Sequence, residues 1–395
     1  MTTGHPINSP TRRLLMITQA VPRTHTGNAG QNYLSARAQH WQGEFEVKCL
    51  LLPGRSARED LPAALCETHV LQPSHRSKLV QIVSNRIRRT FPGLADPAIA
   101  ADLKRDRRAV AWLSEADVVV LEWQEMAGQA RTIRRLAPDA RIVSVFHDVV
   151  SQSVERKLSQ AKGLREKLKL RAVRSVARLS ERWAVATSDV AVVLSTKDAA
   201  LLPRGKARIA VVPPAITAPT QPARDCDALR VLMVAGWRQE DINGLDWFLD
   251  RVLPLVNRAG FYPTVHLVGR MPEELRTQWA GRSVTIDGFV PDLTPSYARA
   301  SAAIVPLLLG AGVKFKTVEA ILHRVPLVTT PVGAEGVQGL EHTKLVSHDS
   351  AEFADRLVRI FKDPVAAQEE ADALAQEVAQ HHGMDAFRRA MNELL

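Results

Sequence analysis

Short apolar runs alternate with helical patterns along most of the chain. We predict buried strands where β-branched and aliphatic residues cluster without a helical period. In the first half these runs lie at 14–18, 45–52, 68–71, 117–121, 141–146, 190–194 and 208–212. In the second half they lie at 229–235, 264–268, 284–286, 303–309 and 327–330. Strands that alternate with helices are typical of parallel sheets, so the pattern predicts an α/β protein.

A proline-rich segment separates the two series of strands. Residues 211–228 read VVPPAITAPTQPARDCDA, and this composition favours a connection over a helix or strand. A chain of 395 residues is long enough for two domains with separate cores. We therefore predict an N-terminal domain at 1–213, a linker at 214–228 and a C-terminal domain at 229–380.

The segment 302–336 is the most informative part of the chain. It reads as a buried strand at 303–309, a small-residue turn at 310–312 and a helix from Val313 that ends before Pro326. A further strand follows, so the segment is a βαβ unit. The helix has an apolar stripe on one side, formed by Val318, Ile321, Leu322 and Val325.

The opposite side of that helix carries Lys316, Glu319 and His323, and Lys314 lies in its first turn. Free amides at a helix N-terminus attract anions, and neighbouring glycines let a ligand approach the backbone. Two lysines there are consistent with a phosphate site, and a glutamate one turn later can accept hydrogen bonds from sugar hydroxyls. The same residues also fit a solvated face with a Lys316–Glu319 pair.

The motif G-x-G-x-K-x-K-x-x-E-A, followed by P-L-V-T-T and G-A-E-G, resembles the donor-site segment of GT4-type retaining glycosyltransferases. The resemblance extends over nearly the full length and is strongest at 229–340. It implies the GT-B architecture, in which two Rossmann-like domains face a central cleft, and a C-terminal helix at 381–395 that crosses back to the N-terminal domain. It also implies sugar transfer from a nucleotide diphosphate to a polysaccharide, lipid-linked or other glycan acceptor.

The resemblance also assigns roles to individual residues of the C-terminal domain. Glu319 is expected to bind the ribose hydroxyls, and Phe289 and Val290 are expected near the nucleobase. The diphosphate is expected on a set of main-chain amides and cations, with no metal or other cofactor. That set consists of Arg238, Gly312, Val313, Lys314 and Lys316.

Two positions depart from the family pattern. Many members carry E-x7-E, but the first of these positions is Ala311 here. A lysine usual a few residues after Arg238 is absent, and Asn243 stands in that region. Both departures keep open a catalytically degenerate protein that binds a nucleotide or glycan without turnover. A GT-B enzyme of another type, such as an epimerase, needs acid–base carboxylates that the sequence does not place.

In the N-terminal domain, His147 and Asp148 directly follow the strand at 141–146. Ligand groups in parallel sheets lie past the carboxyl ends of strands, so both residues are candidates for the cleft, although a lone histidine there can also be structural. The resemblance implies that they face the donor sugar and the acceptor. Gly27 and Gly30 lie in a loop before a helix, and that loop lacks the G-x-G-x-x-G needed for NAD. The resemblance suggests that this glycine-containing loop faces the cleft, and Gly30 is its candidate for donor binding.

The stretch from about 154 to 186 is predicted as one long basic helix. Ten Lys or Arg surround a stripe of apolar residues, and three glutamates oppose them. The stripe consists of Ala161, Leu164, Leu168, Ala172, Val176, Leu179 and Trp183. Such a helix can lie on an anionic membrane, and residues 155–183 are the candidate contact. It can equally pack its stripe on the N-terminal sheet.

The net charge of +10 favours an anionic partner, whether a nucleotide, a lipid headgroup or a nucleic acid. Nucleic acid is the weakest of these because aromatic residues make up only 5% and no binding motif is present. Three scattered cysteines suit a reducing compartment. With neither an apolar signal region nor an apolar run of membrane-spanning length, we expect a cytoplasmic protein that can be peripheral on the inner face of the plasma membrane.

Overall fold

The computed structural model describes residues 12–22, 29–52, 65–72, 96–217, 219, 226–279, 281–340 and 343–395. Gly27 and the basic stretch at 77–91 lie outside these residues. The chain divides into two compact units. The first contains the chain up to Val193 with Ala199–Val211, and the second contains Leu194–Asp198 with Val212–Leu395.

The first unit is built on a seven-stranded sheet with the order β3-β2-β1-β4-β5-β6-β7. All of its pairings are parallel, which requires a crossover connection between consecutive strands. Its strands are β1 Arg12–Thr18, β2 Phe45–Leu51, β3 Glu67–Val70, β4 Val118–Glu122, β5 Arg141–Phe146, β6 Val190–Val193 and β7 Arg208–Val211. Most residues of β4, β5 and β6 are apolar and buried, as their sequence predicts.

Helices connect the strands of this sheet and cover it. They are α1 Ala29–Trp41, α2 Pro97–Arg105, α3 Arg107–Glu115, α4 Gln124–Ala127, α5 Ala130–Leu136, α6 Val150–Gln160, α7 Leu164–Thr187 and α8 Thr196–Leu201. Asp96 and Asp106 accept hydrogen bonds from main-chain amides at the starts of α2 and α3, so both helices begin at a capping aspartate.

The basic stretch at about 154–186 forms parts of two helices, α6 and α7, so the prediction of one long helix is wrong. Ala161 closes α6 and Gly163 precedes α7, both with extended backbone. The side of α7 that packs inward has small residues, including Ala177, Ser180 and Ala184. Of the two alternatives for the larger apolar stripe, packing on the sheet is contradicted, because Leu168, Leu179 and Trp183 are exposed. The small residues allow α7 to approach its own unit closely.

The second unit has a five-stranded parallel sheet with the order β10-β9-β8-β11-β12. Its strands are β8 Arg230–Val234, β9 Thr264–Val268, β10 Val284–Gly288, β11 Ala302–Val305 and β12 Leu327–Thr329. The strand predicted at 303–309 is shorter than expected, since Pro306 follows β11 and has no amide hydrogen for a ladder.

The helices of this unit surround a core that includes Phe248, Trp279 and Phe353. They are α9 Gln239–Trp247, α10 Leu253–Arg258, α11 Glu273–Arg276, α12 Thr294–Arg299, α13 Phe315–Leu322, α14 Ser350–Lys362, α15 Pro364–His381 and α16 Met384–Asn392. A π-helical turn at Phe248–Val252 joins α9 to α10. Three helices follow from residue 350, and His382 and Gly383 leave the helical conformation between α15 and α16.

Candidate functional site

The predicted donor helix α13 begins at Phe315, two residues later than expected. Gly310 and Gly312 precede it with positive φ angles of 132° and 70°, a backbone region that suits glycine and not the bulkier residues. Lys314 is the N-cap residue of α13. Its side chain accepts no hydrogen bond from the first main-chain amides of the helix, so it does not cap them. Val318, Ile321 and Leu322 are buried, which confirms the predicted apolar stripe.

Lys314 folds back over the glycine turn. Its Nζ donates to the carbonyl oxygens of Ala311 at 2.9 Å and Gly312 at 2.6 Å. It also lies 3.8 Å from a carboxylate oxygen of Glu335, a buried residue of the G-A-E-G segment. The ammonium group therefore stabilises the turn that presents the helix N-terminus, and it adds positive charge there. Gly312 and Val313, which the sequence placed at the diphosphate, are both buried in this turn.

Lys316 is brought to the N-terminus of α9 by Asp241. The Nζ of Lys316 forms an ion pair with Asp241, and the other carboxylate oxygen of Asp241 accepts from the main-chain amide of Arg238 at 3.2 Å. The side chain of Arg238 is exposed. One buried aspartate thus brings the ammonium group of Lys316 to the main chain of Arg238. Sequence reasoning missed Asp241, whose only signal is its position as an acidic residue in the first turn of a helix.

Glu319 lies in a buried polar cluster, so the interpretation of this helix face as solvated is wrong. The hydroxyl of Tyr297 donates to Glu319 at 3.4 Å, and the ring of His323 stacks on Tyr297 with 4.5 Å between centroids. Burial raises the pKa of Glu319 to about 7, against the opposing effects of Tyr297 and Lys316. Burial also lowers the pKa of His323 to about 4, so His323 is neutral at physiological pH.

The residues predicted near the nucleobase follow β10. Phe289 is 46% exposed, and the guanidinium of Arg270 lies over its ring at 5.1 Å from the centroid. Val290 is half-buried beside it. An exposed ring held on one face by a cation can stack with a base on the other. Nothing in the contacts of these two residues tests their predicted role, which stays a prediction.

In the first unit, a buried cluster forms where β4 and β5 end. Glu122, the last residue of β4, makes an ion pair with Arg37 of α1, and both side chains are fully buried. The Nε2 atom of His147 lies 3.4 Å from the same carboxylate oxygen. This places His147 at the carboxyl edge of the sheet, where the sequence predicted it. Its catalytic role stays a prediction, as does that of Asp148, which is half-buried beside it.

Two aromatic rings fix the imidazole of His147. Trp123 stacks on it with 4.8 Å between centroids and an angle of 17°, and Tyr33 meets it edge-on at 5.5 Å. Trp123 has φ = 66°, a conformation that costs energy in a residue other than glycine. A strained tryptophan directly after a strand is a pattern found at functional sites. Gly30 lies half-buried in the first turn of α1, the helix that also carries Tyr33 and Arg37.

The charges of this cluster determine the protonation state of His147. Burial alone would raise the pKa of Glu122, but the Arg37 charge and the His147 contact outweigh it and hold that pKa below its usual value. Burial lowers the pKa of His147, although Glu122 opposes this. At neutral pH the imidazole is therefore neutral and faces an ionised carboxylate. Because a carboxylate only accepts hydrogen bonds, Nε2 carries the proton and Nδ1 has a free lone pair.

Sequence reasoning missed the partners Arg37 and Glu122. They are 85 residues apart, and neither belongs to a recognisable motif. Among the residues described, the Nε and Nη1 atoms of Arg37 and one oxygen of Glu122 are buried without a hydrogen-bond partner. Such an incompletely satisfied buried pair costs stability, and its contact with His147 is consistent with a role in positioning the imidazole.

Part of the second unit matches a known protein family. Residues 228–363, which include α13, match the family profile described as glycosyl transferases group 1. Among curated protein sequences, none matches the chain significantly. The family match thus covers the unit that holds Arg238, Lys316 and Glu319.

Solved structures extend the similarity to the whole chain. Anabaena HepE in complex with UDP and glucose is 15% identical with a TM-score of 0.66, over 97% of this chain and 99% of that chain. A mutant of S. aureus TarM in complex with Fondaparinux, alpha-GlcNAc-glycerol and UDP is 8% identical with a TM-score of 0.63, over 97% and 99%. Trehalose 6-phosphate synthase from Burkholderia multivorans is 11% identical with a TM-score of 0.61, over 97% and 96%. These neighbours are GT-B glycosyltransferases, so the predicted fold class is confirmed.

Proposed function

We propose that the chain is a GT4-like retaining glycosyltransferase that moves a sugar from a nucleotide diphosphate to a glycan acceptor. The observation that carries the proposal is the placement of Arg238 and Lys316 around Asp241, with Glu319 one turn later on α13. This set combines two cations for a diphosphate with a carboxylate for ribose. The match of 228–363 to glycosyl transferases group 1 supports the same assignment.

The departing diphosphate gains negative charge in the transition state, and preorganised donors that stabilise this charge accelerate transfer. The amides at Gly312–Lys314 and the cations Arg238 and Lys316 supply such donors, so we propose transfer without a metal. Because Lys316 is paired with Asp241 in the free protein, donor binding exchanges that partner for phosphate oxygens. This exchange offsets part of the cost of desolvating the ammonium group.

We further propose that a reacting hydroxyl binds beside His147. Its neutral imidazole offers the Nδ1 lone pair to a sugar or acceptor hydroxyl, while the proton of the acceptor moves to the leaving phosphate. This front-face displacement retains the configuration of the anomeric carbon and needs no second carboxylate. The proposed acceptor is a polysaccharide, lipid-linked or other glycan, and the proposed place of action is the cytoplasm.

The test combines ligand binding with turnover. Thermal unfolding in the presence of UDP and of GDP should show a rise in Tm for the accepted base, because a ligand of the native state stabilises it by mass action. UDP is the first choice because HepE and TarM are each found with UDP bound. Release of UDP from UDP-glucose then measures donor hydrolysis. If neither diphosphate changes the Tm at millimolar concentration, the proposal is wrong.

One observation favours a second function, in which the protein binds a nucleotide or glycan without turnover. The position of the first carboxylate of E-x7-E is Ala311, whose carbonyl oxygen accepts from Lys314. No side chain at this position can contact the donor sugar through a carboxylate. A Tm rise with UDP, together with no hydrolysis or transfer from any UDP-sugar or GDP-sugar tested, would support this second function.

A further inference from the structure

The outer face of α7 exposes large apolar side chains that the fold leaves uncovered. Leu164 is 71% exposed, Leu168 56%, Leu179 51% and Trp183 50%. At 3.6 residues per turn, these four side chains lie within an arc of about 100°. The inward side of the helix, with Ala177, Ser180 and Ala184, lies on the opposite arc. The apolar stripe is therefore separate from the core of the first unit.

Basic residues flank this stripe on both sides. Helical geometry places Lys167, Arg171 and Arg178 along one flank and Arg165 and Lys169 along the other. Within α7, seven Lys or Arg occur against two glutamates, and one of these, Glu181, is buried and accepts from the Ser151 amide. Glu155 of α6 pairs with Arg174 and Arg178. For the remaining bases of α7, no carboxylate among the described residues is within ion-pair distance.

The exposed surface continues beyond the helix. Leu201, at the end of α8, is 42% exposed. Together with Arg178 and Arg182 it lines an open cavity of about 520 Å³ next to α7. An apolar stripe, its basic flanks and this cavity form one continuous surface of the first unit.

We propose that this surface binds an anionic lipid bilayer, with α7 lying in the plane of the interface. The leucines and Trp183 enter the boundary between headgroups and acyl chains, and the flanking bases contact anionic headgroups. Tryptophan is enriched at this depth of a bilayer because its ring is amphipathic. The mode of binding is peripheral, since no helix of the described residues combines the length and the apolar character that a membrane crossing needs.

Two other occupants fit the surface less well. A second copy of the chain would bring two strongly basic faces together, and like charges across an interface oppose association. A nucleic acid would use the bases but would leave the four large apolar side chains without a partner. A bilayer with anionic lipids is the one occupant that complements both the charge and the apolar stripe.

The test is flotation of the full-length protein with vesicles of phosphatidylcholine alone or mixed with phosphatidylglycerol. We expect binding to the mixed vesicles only, and we expect it to weaken as salt rises. Changing Lys167, Lys169 and Arg171 together to Glu should lower the partition coefficient at least ~100-fold, given the contribution of each base near an anionic surface. Changing Leu168 and Trp183 to Ser should lower it by roughly 10-fold or more.

Matched controls lie on the second unit. Changing Arg251, Arg359 and Lys362 to Glu reverses the same number of exposed charges, and Tyr262→Ser removes an apolar side chain that is 71% exposed. After correction for the change in net charge of the whole protein, the partition coefficients of these controls should lie within about 2-fold of the wild-type value. All variants should keep the wild-type Tm, because none of the altered side chains is buried.

Several results would overturn the inference. Equal binding to neutral vesicles, or equal losses in the second-unit controls, would show that this surface is not the contact. Retention on a DNA duplex at a salt concentration where vesicles no longer bind would assign the surface to nucleic acid, and a lipid-free dimer broken by Trp183→Ser would assign it to self-association. The experiment needs no nucleotide sugar, so its outcome is independent of the proposed transferase activity.

Discussion

If Glu319 binds the ribose as proposed, nucleotide binding depends on pH, because the pKa of about 7 makes this side chain half ionised at neutral pH. Ribose hydroxyls donate to the carboxylate form, so UDP affinity should increase as pH rises from 6 to 8. Glu319→Gln should bind UDP more weakly at pH 8 and should lose most of this pH dependence. Isothermal titration at several pH values measures both effects.

The same carboxyl group affects folding in the opposite direction. Its pKa is raised on folding, so between about 4.5 and about 7 the native state binds more protons than the unfolded state. The contribution of Glu319 to stability is therefore favourable at low pH and is lost as pH rises through 7. Glu319→Gln should thus be more stable than the wild type at pH 8 and similar to it at pH 4. Urea unfolding that shows the reverse order would contradict the buried environment of Glu319.

Lys316 and Asp241 should have opposite effects on nucleotide affinity. Lys316→Ala should weaken UDP binding by about 1.5–3 kcal/mol, the range for a hydrogen bond to a charged group. Asp241→Asn keeps an acceptor for the Arg238 amide but removes a negative charge beside the diphosphate, so UDP should bind more tightly. Lys362→Ala, on an exposed end of α14, is the matched control and should leave the affinity unchanged. If the Lys316→Ala protein and the control bind UDP with equal affinity at low salt, Lys316 does not contact the diphosphate.

His147 should affect turnover much more than binding. If its Nδ1 holds a reacting hydroxyl, His147→Ala should lower kcat for transfer by at least ~100-fold, the lower range for a positioned proton-transfer group. The Tm rise with UDP should change little, because the nucleotide contacts belong to the other unit. A kcat near the wild-type value would leave His147 as a packing partner of Trp123 and Tyr33 only.

At the scale of elements, the junction of β4 with α1 depends on one buried ion pair. Glu122→Gln leaves the Arg37 charge buried without a counter-ion, which should destabilise the protein by about 3–5 kcal/mol. Adding Arg37→Met removes the unpaired buried charge and should restore a large part of the lost stability. Urea unfolding of the two single variants and the double variant measures the coupling. Strictly additive losses would show that the two side chains do not stabilise each other.

The sequence predicts the strands well because both faces of a parallel sheet are buried, so Val118–Leu121 of β4 and the whole of β6 appear as unbroken apolar runs. Helix ends were harder to predict, as the break between α6 and α7 shows. The pattern also could not show which side of α7 packs inward. The small residues of α7 make the close contact with the rest of the first unit. The helical period of the large apolar residues instead indicated the side that remains exposed.

The candidate site was predictable where a local motif determines it, as in the turn and first residues of α13. Contacts between distant segments were not predictable. Arg37 and Glu122 are brought together only by the order β1-β4-β5 in the sheet, and Asp241 reaches Lys316 over 75 positions. The stacking of His323 on Tyr297 likewise requires α12 and α13 to be neighbours. Tertiary packing, which has no signature in a single sequence, determines these partners.

At the scale of the whole molecule, the two proposed binding surfaces belong to different units. The basic face of α7 lies in the first unit, and the nucleotide contacts on α9 and α13 lie in the second. Effects of changes at distant sites without shared partners add. The charge reversal of Lys167, Lys169 and Arg171 should therefore remove vesicle binding and keep the Tm rise with UDP. Lys316→Ala should reduce the Tm rise with UDP and keep vesicle binding.

A combined variant with all four changes measures whether the two surfaces are coupled. Its loss of UDP affinity should equal that of Lys316→Ala, and its loss of vesicle partitioning should equal that of the triple charge reversal, each within about 0.5 kcal/mol. Flotation with and without saturating UDP provides the second measurement, and the vesicle partition coefficient of the wild type should not change. A larger deviation, or vesicle binding that depends on UDP, would show that occupancy of one unit changes the other, because coupling between two ligands is reciprocal.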